Sequence, residues 1–227
     1  TVATQDIRLL KKQMDIVNSL PKQYTFLNYL RCHDDIGWGL DFATLKEWDM
    51  DEPSHKRYLN DFFTGKHPGS DSRGELYNDD PVTQDARFCG TTASMCGIEA
   101  ALFEKDDEKL KRGIREDLML HAYMLTQSGI PMLYSSDEVG RLNDYSYKDD
   151  PDKAADIHRG AFQWDLAKKR KSKTSVEGQI FQTLSRMEQI RRQESVFDKD
   201  CDVYTYDVHD DSILCILRQK GNERFIG

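Results

Sequence analysis

Several features that mark particular protein classes are missing from this sequence of 227 residues. No stretch approaches the roughly 18 consecutive apolar residues of a membrane helix, and no charged-then-apolar signal sequence opens the chain. The five cysteines are an odd number without Cys-x-x-Cys spacing, which argues against a zinc ribbon or a disulfide framework. We therefore expect free thiols, a cytoplasmic location and no membrane partner.

An excess of positive charge is also missing, because the formal net charge is −8 and the sequence pI is about 5.3. Nucleic-acid binding needs a basic stripe that neutralises phosphates, so this balance argues against a nucleic-acid partner. The one basic run, residues 168–173, is interpreted as a solvated loop. A small neutral ligand fits the composition better.

The apolar pattern predicts a mixed α/β chain. Apolar residues at steps of three and four predict a helix over 7–17, and an aromatic and branched run predicts a buried strand over Tyr24–Cys32. A second strand is predicted over Ile130–Tyr134, after a helix at 110–127 that Gly129 closes as a C-terminal cap. The stretch 38–84 has little helical or strand pattern beyond a short amphipathic segment capped by Ser54, which is typical of a functional loop.

Further signals complete the predicted element order. Thr91 and Thr92 can cap a helix that continues to about Phe103. His121 lies on the apolar stripe of the following helix and is interpreted as a hydrogen-bonded core histidine. A further helix is predicted at 179–193, and alternating residues near 204–208 and 213–217 predict antiparallel strands.

The most informative segment is His33-Asp34-Asp35, which directly follows the first predicted strand. Catalytic groups collect at the carboxyl ends of parallel barrel strands, because the strands fix the geometry and the following loops are free to vary. An Asp pair in this place can also be a solvated turn or a helix cap. Asn28, five residues before His33, extends the pattern to N-x-x-x-x-H-D.

This extended motif and its companions resemble glycoside hydrolase family 13, the α-amylase superfamily. HDDIGW resembles the amylosucrase and sucrose hydrolase branch, with further similarity at DARFCG and IPMLYSSDEVG. The resemblance implies the C-terminal part of a (β/α)8 TIM barrel, with an insertion after strand 7 and then the start of an antiparallel β domain. The implied segments are 1–37 (helix 6 and strand 7), 38–86 (the acceptor-side insertion), 87–197 (helix 7, strand 8 and helix 8) and 198–227.

The resemblance also implies a role for each motif residue. Asp34 matches the transition-state stabiliser, and His33 matches a donor to sugar hydroxyls in the innermost subsite. Asp35 and Arg87 match residues on the acceptor side. The nucleophile and the acid/base of this family follow strands 4 and 5, upstream of Thr1, so we expect this chain to be inactive alone.

One assignment has two candidates. ADIHRGAFQW resembles the segment in which amylosucrases place an arginine that blocks the pocket beyond the innermost glucose. Arg159 could take this role, but strict spacing equally allows His158. Asp137 and Glu138, in the strand 8 motif, are interpreted as structural.

The predicted function is therefore glucosyl transfer from, or hydrolysis of, sucrose or short α-glucosides by a retaining enzyme. An α-amylase or α-glucosidase type of glucan hydrolase is one alternative, and a non-catalytic carbohydrate-binding fragment is another. A metal-binding module with His33, Asp34 and Asp35 as ligands is a weaker alternative, because consecutive residues rarely supply a complete ligand shell. We expect no cofactor, no metal, a small carbohydrate as partner, and self-association of the isolated chain through open strand edges.

Overall fold

A computed structural model describes residues 1–34, 36–146 and 151–227, without the side chains of residues 151, 152 and 154. The chain divides into two units. The first comprises Thr1–Asn28, Ala122–Met132 and Ser185–Gly227, and the second comprises Tyr29–His121 and Leu133–Leu184.

In the first unit, helix α1 (Arg8–Asn18) precedes a parallel pair of very short strands. Strand β1 (Leu27–Asn28) pairs in parallel with β5 (Ile130–Pro131), with Leu27 opposite Ile130 and Asn28 opposite Pro131. The parallel pairing agrees with the predicted α/β order, but the expected buried strand Tyr24–Cys32 is wrong in length and burial. Leu27 is 54% exposed and Ile130 is 58% exposed, because within the described residues β5 is the only strand that pairs with β1.

The predicted antiparallel strands near the end of the chain are confirmed. Strands β6 (Asp202–Tyr206), β7 (Cys215–Lys220) and β8 (Glu223–Ile226) form a three-stranded antiparallel sheet with β7 in the centre. Arg218 of β7 is fully buried and donates from Nε to the Val196 carbonyl at 2.7 Å and from Nη1 to the Thr126 carbonyl at 2.8 Å. A buried guanidinium needs such acceptors, so Arg218 fastens the central strand within this unit.

The second unit contains an antiparallel sheet, and the stretch 38–84, expected to be mostly loop, supplies one of its strands and two helices. Helices α2 (Phe42–Glu47) and α3 (Glu52–Phe63) are capped by Asp41 and Asp51, whose side chains accept from the backbone N–H three residues later. The predicted cap at Ser54 is wrong, because Asp51 is the N-cap residue and its side chain accepts a hydrogen bond from the Ser54 backbone N–H. The sheet has the order β2 (Ile36–Gly37), β4 (Arg87–Cys89), β3 (Glu75–Tyr77).

The helices predicted after this sheet are present, with one break. Thr91 caps α4 (Thr92–Met95) as expected, but Gly97 at φ +80° separates it from α5 (Ile98–Glu104). The remaining α-helices are α6 (Asp107–Thr126), α7 (Trp164–Lys168) and α8 (Val176–Gln193). Short 3₁₀ helices cover Asp137–Val139, Pro151–His158, Lys169–Lys171 and Ser195–Phe197.

Taken together, the fold is mixed α/β with three small sheets in the described part of the chain. The parallel pair is too small to form a closed barrel. The predicted C-terminal part of a (β/α)8 barrel is therefore confirmed only as a mixed α/β fold. All five cysteines are free, as expected. Within the described ranges, no helix has the length and apolar character needed to cross a membrane.

Candidate functional site

The site predicted from sequence centres on His33 and Asp34, which lie in an irregular segment of the second unit. Their side chains are 69% and 64% exposed, and His33 Nε2 lies 3.3 Å from Asp34 Oδ1. Both groups are therefore open to a ligand from solvent. Asp35, the third residue of the motif, lies outside the described residues, so its acceptor-side role stays a prediction.

His158 and Arg159, the two candidates for the pocket-blocking role, both contact the backbone carbonyl of His33. His158 Nε2 lies 3.1 Å from the His33 carbonyl oxygen, and Arg159 Nε donates to the same oxygen at 2.6 Å. Because a carbonyl only accepts, this contact requires the Nε2–H form of His158. His158 is 2% exposed, whereas Arg159 is exposed. Each of the two thus contacts the His33 backbone, and the pocket-blocking role of one of them stays a prediction.

Arg87 reaches the same region through the antiparallel sheet. Strand β4 places Arg87 directly opposite Gly37 of β2, three residues beyond Asp34 in the chain. A Cβ atom built on Gly37 would lie 2.7 Å from Arg87 Nη1, so the guanidinium packs over this glycine. Arg87 is exposed, and its five N–H donors can reach hydroxyls of a sugar. The sheet pairing therefore brings together two sequence-predicted segments separated by about fifty residues.

Sequence reasoning missed Arg31 as part of this region. Its buried guanidinium, 3% exposed, donates to Asp137 Oδ1 from Nε at 3.0 Å and from Nη2 at 2.6 Å. Asp137 is equally buried and also accepts from Thr92 Oγ1 at 3.3 Å. The sequence feature that could have indicated Arg31 is that it is the only arginine in the apolar run from Tyr24 to the motif.

Burial shapes the protonation of this ion pair. Desolvation raises the pKa of the Asp137 carboxyl, and the Arg31 guanidinium opposes that rise. The guanidinium also lies over the Tyr134 ring, with 4.6 Å between its carbon and the ring centroid. This environment fits the structural role expected for Asp137.

A second buried group lies on α6. His121 is 1% exposed, and its Nδ1 lies 2.9 Å from the Asp117 carbonyl oxygen and 3.1 Å from Asp117 Oδ1. Burial disfavours the charged imidazole, but hydrogen bonding and attraction to Asp117 outweigh it and raise the pKa of His121. The predicted core position is confirmed, with Nδ1 hydrogen-bonded, whereas the buried Nε2 has no hydrogen-bond partner among the described residues.

The described residues of this site offer a metal ion three candidate ligand atoms. Cys32, His33 and Asp34 place one ligand atom each within 4.8 Å of one another, but no fourth His, Cys, Asp or Glu of the described chain joins the group. A structural zinc site normally has four protein ligands. The three consecutive, mainly exposed side chains do not form such a shell.

Comparison with known proteins gives a similarity of fold. No protein-family model matches the chain. The crystal structure of sucrose 6F-phosphate phosphorylase from Thermoanaerobacter thermosaccharolyticum is similar to the whole chain, with a TM-score of 0.68 and 16% identity. The chain spans 40% of the length of that protein. Over its full length, this chain therefore has the fold of part of a sucrose 6F-phosphate phosphorylase.

Proposed function

We propose that this chain is part of a retaining enzyme of glycoside hydrolase family 13 that acts on α-glucosides. Asp34 would stabilise the oxocarbenium-like transition state, and His33 would donate to hydroxyls of the glucosyl ring. The observation that carries the proposal is the exposed His33–Asp34 pair on a backbone fastened by His158 and Arg159, with Arg87 on the neighbouring strand.

The finer proposal is an amylosucrase-like enzyme whose donor is sucrose or a short α-glucoside. It rests on the HDDIGW motif and its companions DARFCG and IPMLYSSDEVG, whereas the fold similarity supports only the coarser proposal. Arg87 and Asp35 would orient the acceptor, Arg159 or His158 would limit the pocket, and residues 38–86 would form an acceptor-side insertion. No cofactor enters this chemistry, because carboxylates alone perform it.

The test uses the longer protein that contains this chain. Purified enzyme is incubated with sucrose or maltose, and with water, maltose or inorganic phosphate as acceptor. Proton NMR then follows the first anomer formed. We expect the α-anomer, since a covalent glucosyl intermediate gives net retention. A first product of β configuration would contradict the proposal.

The non-catalytic alternative predicts a different result. A carbohydrate-binding fragment would bind sucrose or maltose in calorimetry while the longer protein releases no glucose, fructose or glucose phosphate. Turnover by the longer protein together with no turnover by residues 1–227 supports the enzyme-fragment proposal.

A further inference from the structure

The buried pair Arg31–Asp137 and the exposed pair His33–Asp34 both belong to the second unit. Arg31 precedes His33 by two residues, and a chain of two residues spans at most about 7 Å. The place of the Arg31 backbone therefore restricts where the two exposed side chains can stand.

The contacts of Arg31 fix it more firmly than a surface ion pair would. Two of its nitrogens converge on Asp137 Oδ1, and its planar group covers the Tyr134 ring. Thr92 Oγ1 contacts the second carboxylate oxygen, Asp137 Oδ2, at 3.3 Å. Neither charged group can leave its partner without remaining buried and unpaired, which is strongly unfavourable.

The other side of the motif is held independently. His158 and Arg159 contact the His33 carbonyl oxygen, so the backbone of the motif is fastened both before and at His33. A catalytic side chain on an irregular segment needs such support, because a displacement of about 1 Å can lower the rate about a hundredfold.

We propose that Arg31 and Asp137 are positioning residues, which hold the segment that presents His33 and Asp34 to the sugar. This inference rests on the proposed function. The pair itself touches no substrate and acts through the backbone of residues 32–34.

Two variants test the pair, and one controls for stability. Arg31→Lys keeps the charge but loses the planar fork, and Asp137→Asn keeps the shape but loses the charge. Arg218→Lys is the matched control, because Arg218 is also a fully buried arginine, with carbonyl acceptors in the first unit. The longer protein is assayed for kcat and KM well below each melting temperature, and its amide hydrogen exchange is measured at the same temperature.

We expect Arg31→Lys and Asp137→Asn to lower kcat by about 10- to 100-fold with a smaller change in KM. Amide exchange in the peptide covering residues 32–38 should become faster in both. Arg218→Lys should lower the melting temperature without either effect. If Arg31→Lys does not fold, Asp137→Asn alone decides.

Two results would overturn the inference in distinguishable ways. Wild-type kcat and wild-type exchange in the folded Asp137→Asn variant, with Asp34→Asn inactive, would remove the positioning role and leave the proposed function intact. Wild-type turnover by Asp34→Asn would instead remove the proposed function, and the positioning role with it.

Discussion

At the scale of single residues, the polar groups around the motif of the second unit differ in exposure and in partners. His33 and Asp34 expose about two thirds of their side chains, so both are open to a ligand from solvent. Arg31 and Asp137 expose 3% each and satisfy one another. The motif residues can be proposed from sequence, because their identities and spacing are characteristic. Their buried supports could not, because the partners are more than a hundred residues apart.

The packing of Arg87 over Gly37 gives a prediction about the acceptor. In Gly37→Ala the new Cβ would lie 2.7 Å from Arg87 Nη1, so the guanidinium must move. Product analysis at fixed sucrose and varied maltose should show the ratio of transfer to hydrolysis changed about threefold or more, because water needs no oriented contacts. Arg87→Ala should act in the same direction.

Gly39→Ala is the control for this prediction, since a Cβ at Gly39 meets no atom within 4 Å. Its product ratio should equal that of the wild type. Equal ratios for both glycine variants and Arg87→Ala would show that Arg87 does not act on the acceptor.

Glu116 on α6 gives a prediction about pH. Burial raises the pKa of its carboxyl from 4.5 to about 7, with Arg112 opposing the rise and Asp117 and Asp71 adding to it. The folded state thus keeps this proton to a higher pH than the unfolded state does. The stabilising contribution is therefore fully present below about pH 4.5 and is lost as the pH rises through about 7.

Urea unfolding of wild type and Glu116→Gln at pH 4.5 and pH 8 measures this loss. The free energy of unfolding of the wild type should fall, relative to the variant, by on the order of 2 kcal/mol across this range. Glu108→Gln is the control, because Lys111 lowers the pKa of the exposed Glu108. A wild type and Glu116→Gln that respond equally to pH would contradict the assignment.

At the scale of elements, helices were easier to predict than strands. The 3.6-residue period located α6 and α8 to within a few residues, because most of the helix bonds form within each segment. Of the strand predicted over Tyr24–Cys32, only two residues form β1. A strand needs a partner strand to pair with, and the local sequence does not identify that partner. The Asp51 cap and the break at Gly97 depend on local backbone detail that periodicity does not report.

Gly129 illustrates such a tertiary requirement. It lies three residues beyond the end of α6, so it does not cap the helix directly as predicted. Its φ is +116°, and a Cβ there would lie 2.3 Å from the Phe26 carbonyl oxygen, beside the pairing of β1 and β5. The glycine is needed for close approach of two backbones in the first unit.

Gly129→Ala should therefore lower the free energy of unfolding by about 2–4 kcal/mol in urea titrations. Gly221→Ala is the matched control, since Gly221 also has a positive φ but meets no atom within 4 Å. It should cost about 1 kcal/mol from the backbone conformation alone. Equal losses for the two variants would rule out the steric reason.

At the scale of the whole molecule, the chain has the fold of part of a larger enzyme. It spans 40% of a structure that it resembles over its full length, and its parallel strand pair leaves apolar side chains exposed. The apolar pattern correctly predicted a mixed α/β chain, and the number and spacing of the cysteines correctly predicted free thiols. Neither could indicate which strands would pair, because pairing depends on contacts distant in sequence.

The exposed pair Leu27 and Ile130 leads us to predict self-association of residues 1–227. Light scattering after gel filtration should show a mass that rises with concentration, and Leu27→Lys with Ile130→Lys should reduce it. Tyr204→Lys, at a 47% exposed site on the C-terminal sheet, should not. A constant monomer mass for the wild type would contradict this prediction.

Steady-state kinetics of the longer protein can show whether Asp34 stabilises the transition state of glucoside cleavage, as we propose. Asp34→Asn keeps the size of the side chain and removes its charge. Turnover of sucrose and maltose should fall by a factor of about 10³ or more. The control, Asp211→Asn, changes a carboxylate that is 70% exposed in the first unit, and its turnover should stay unchanged. Turnover of Asp34→Asn within tenfold of the wild type would contradict this role of Asp34.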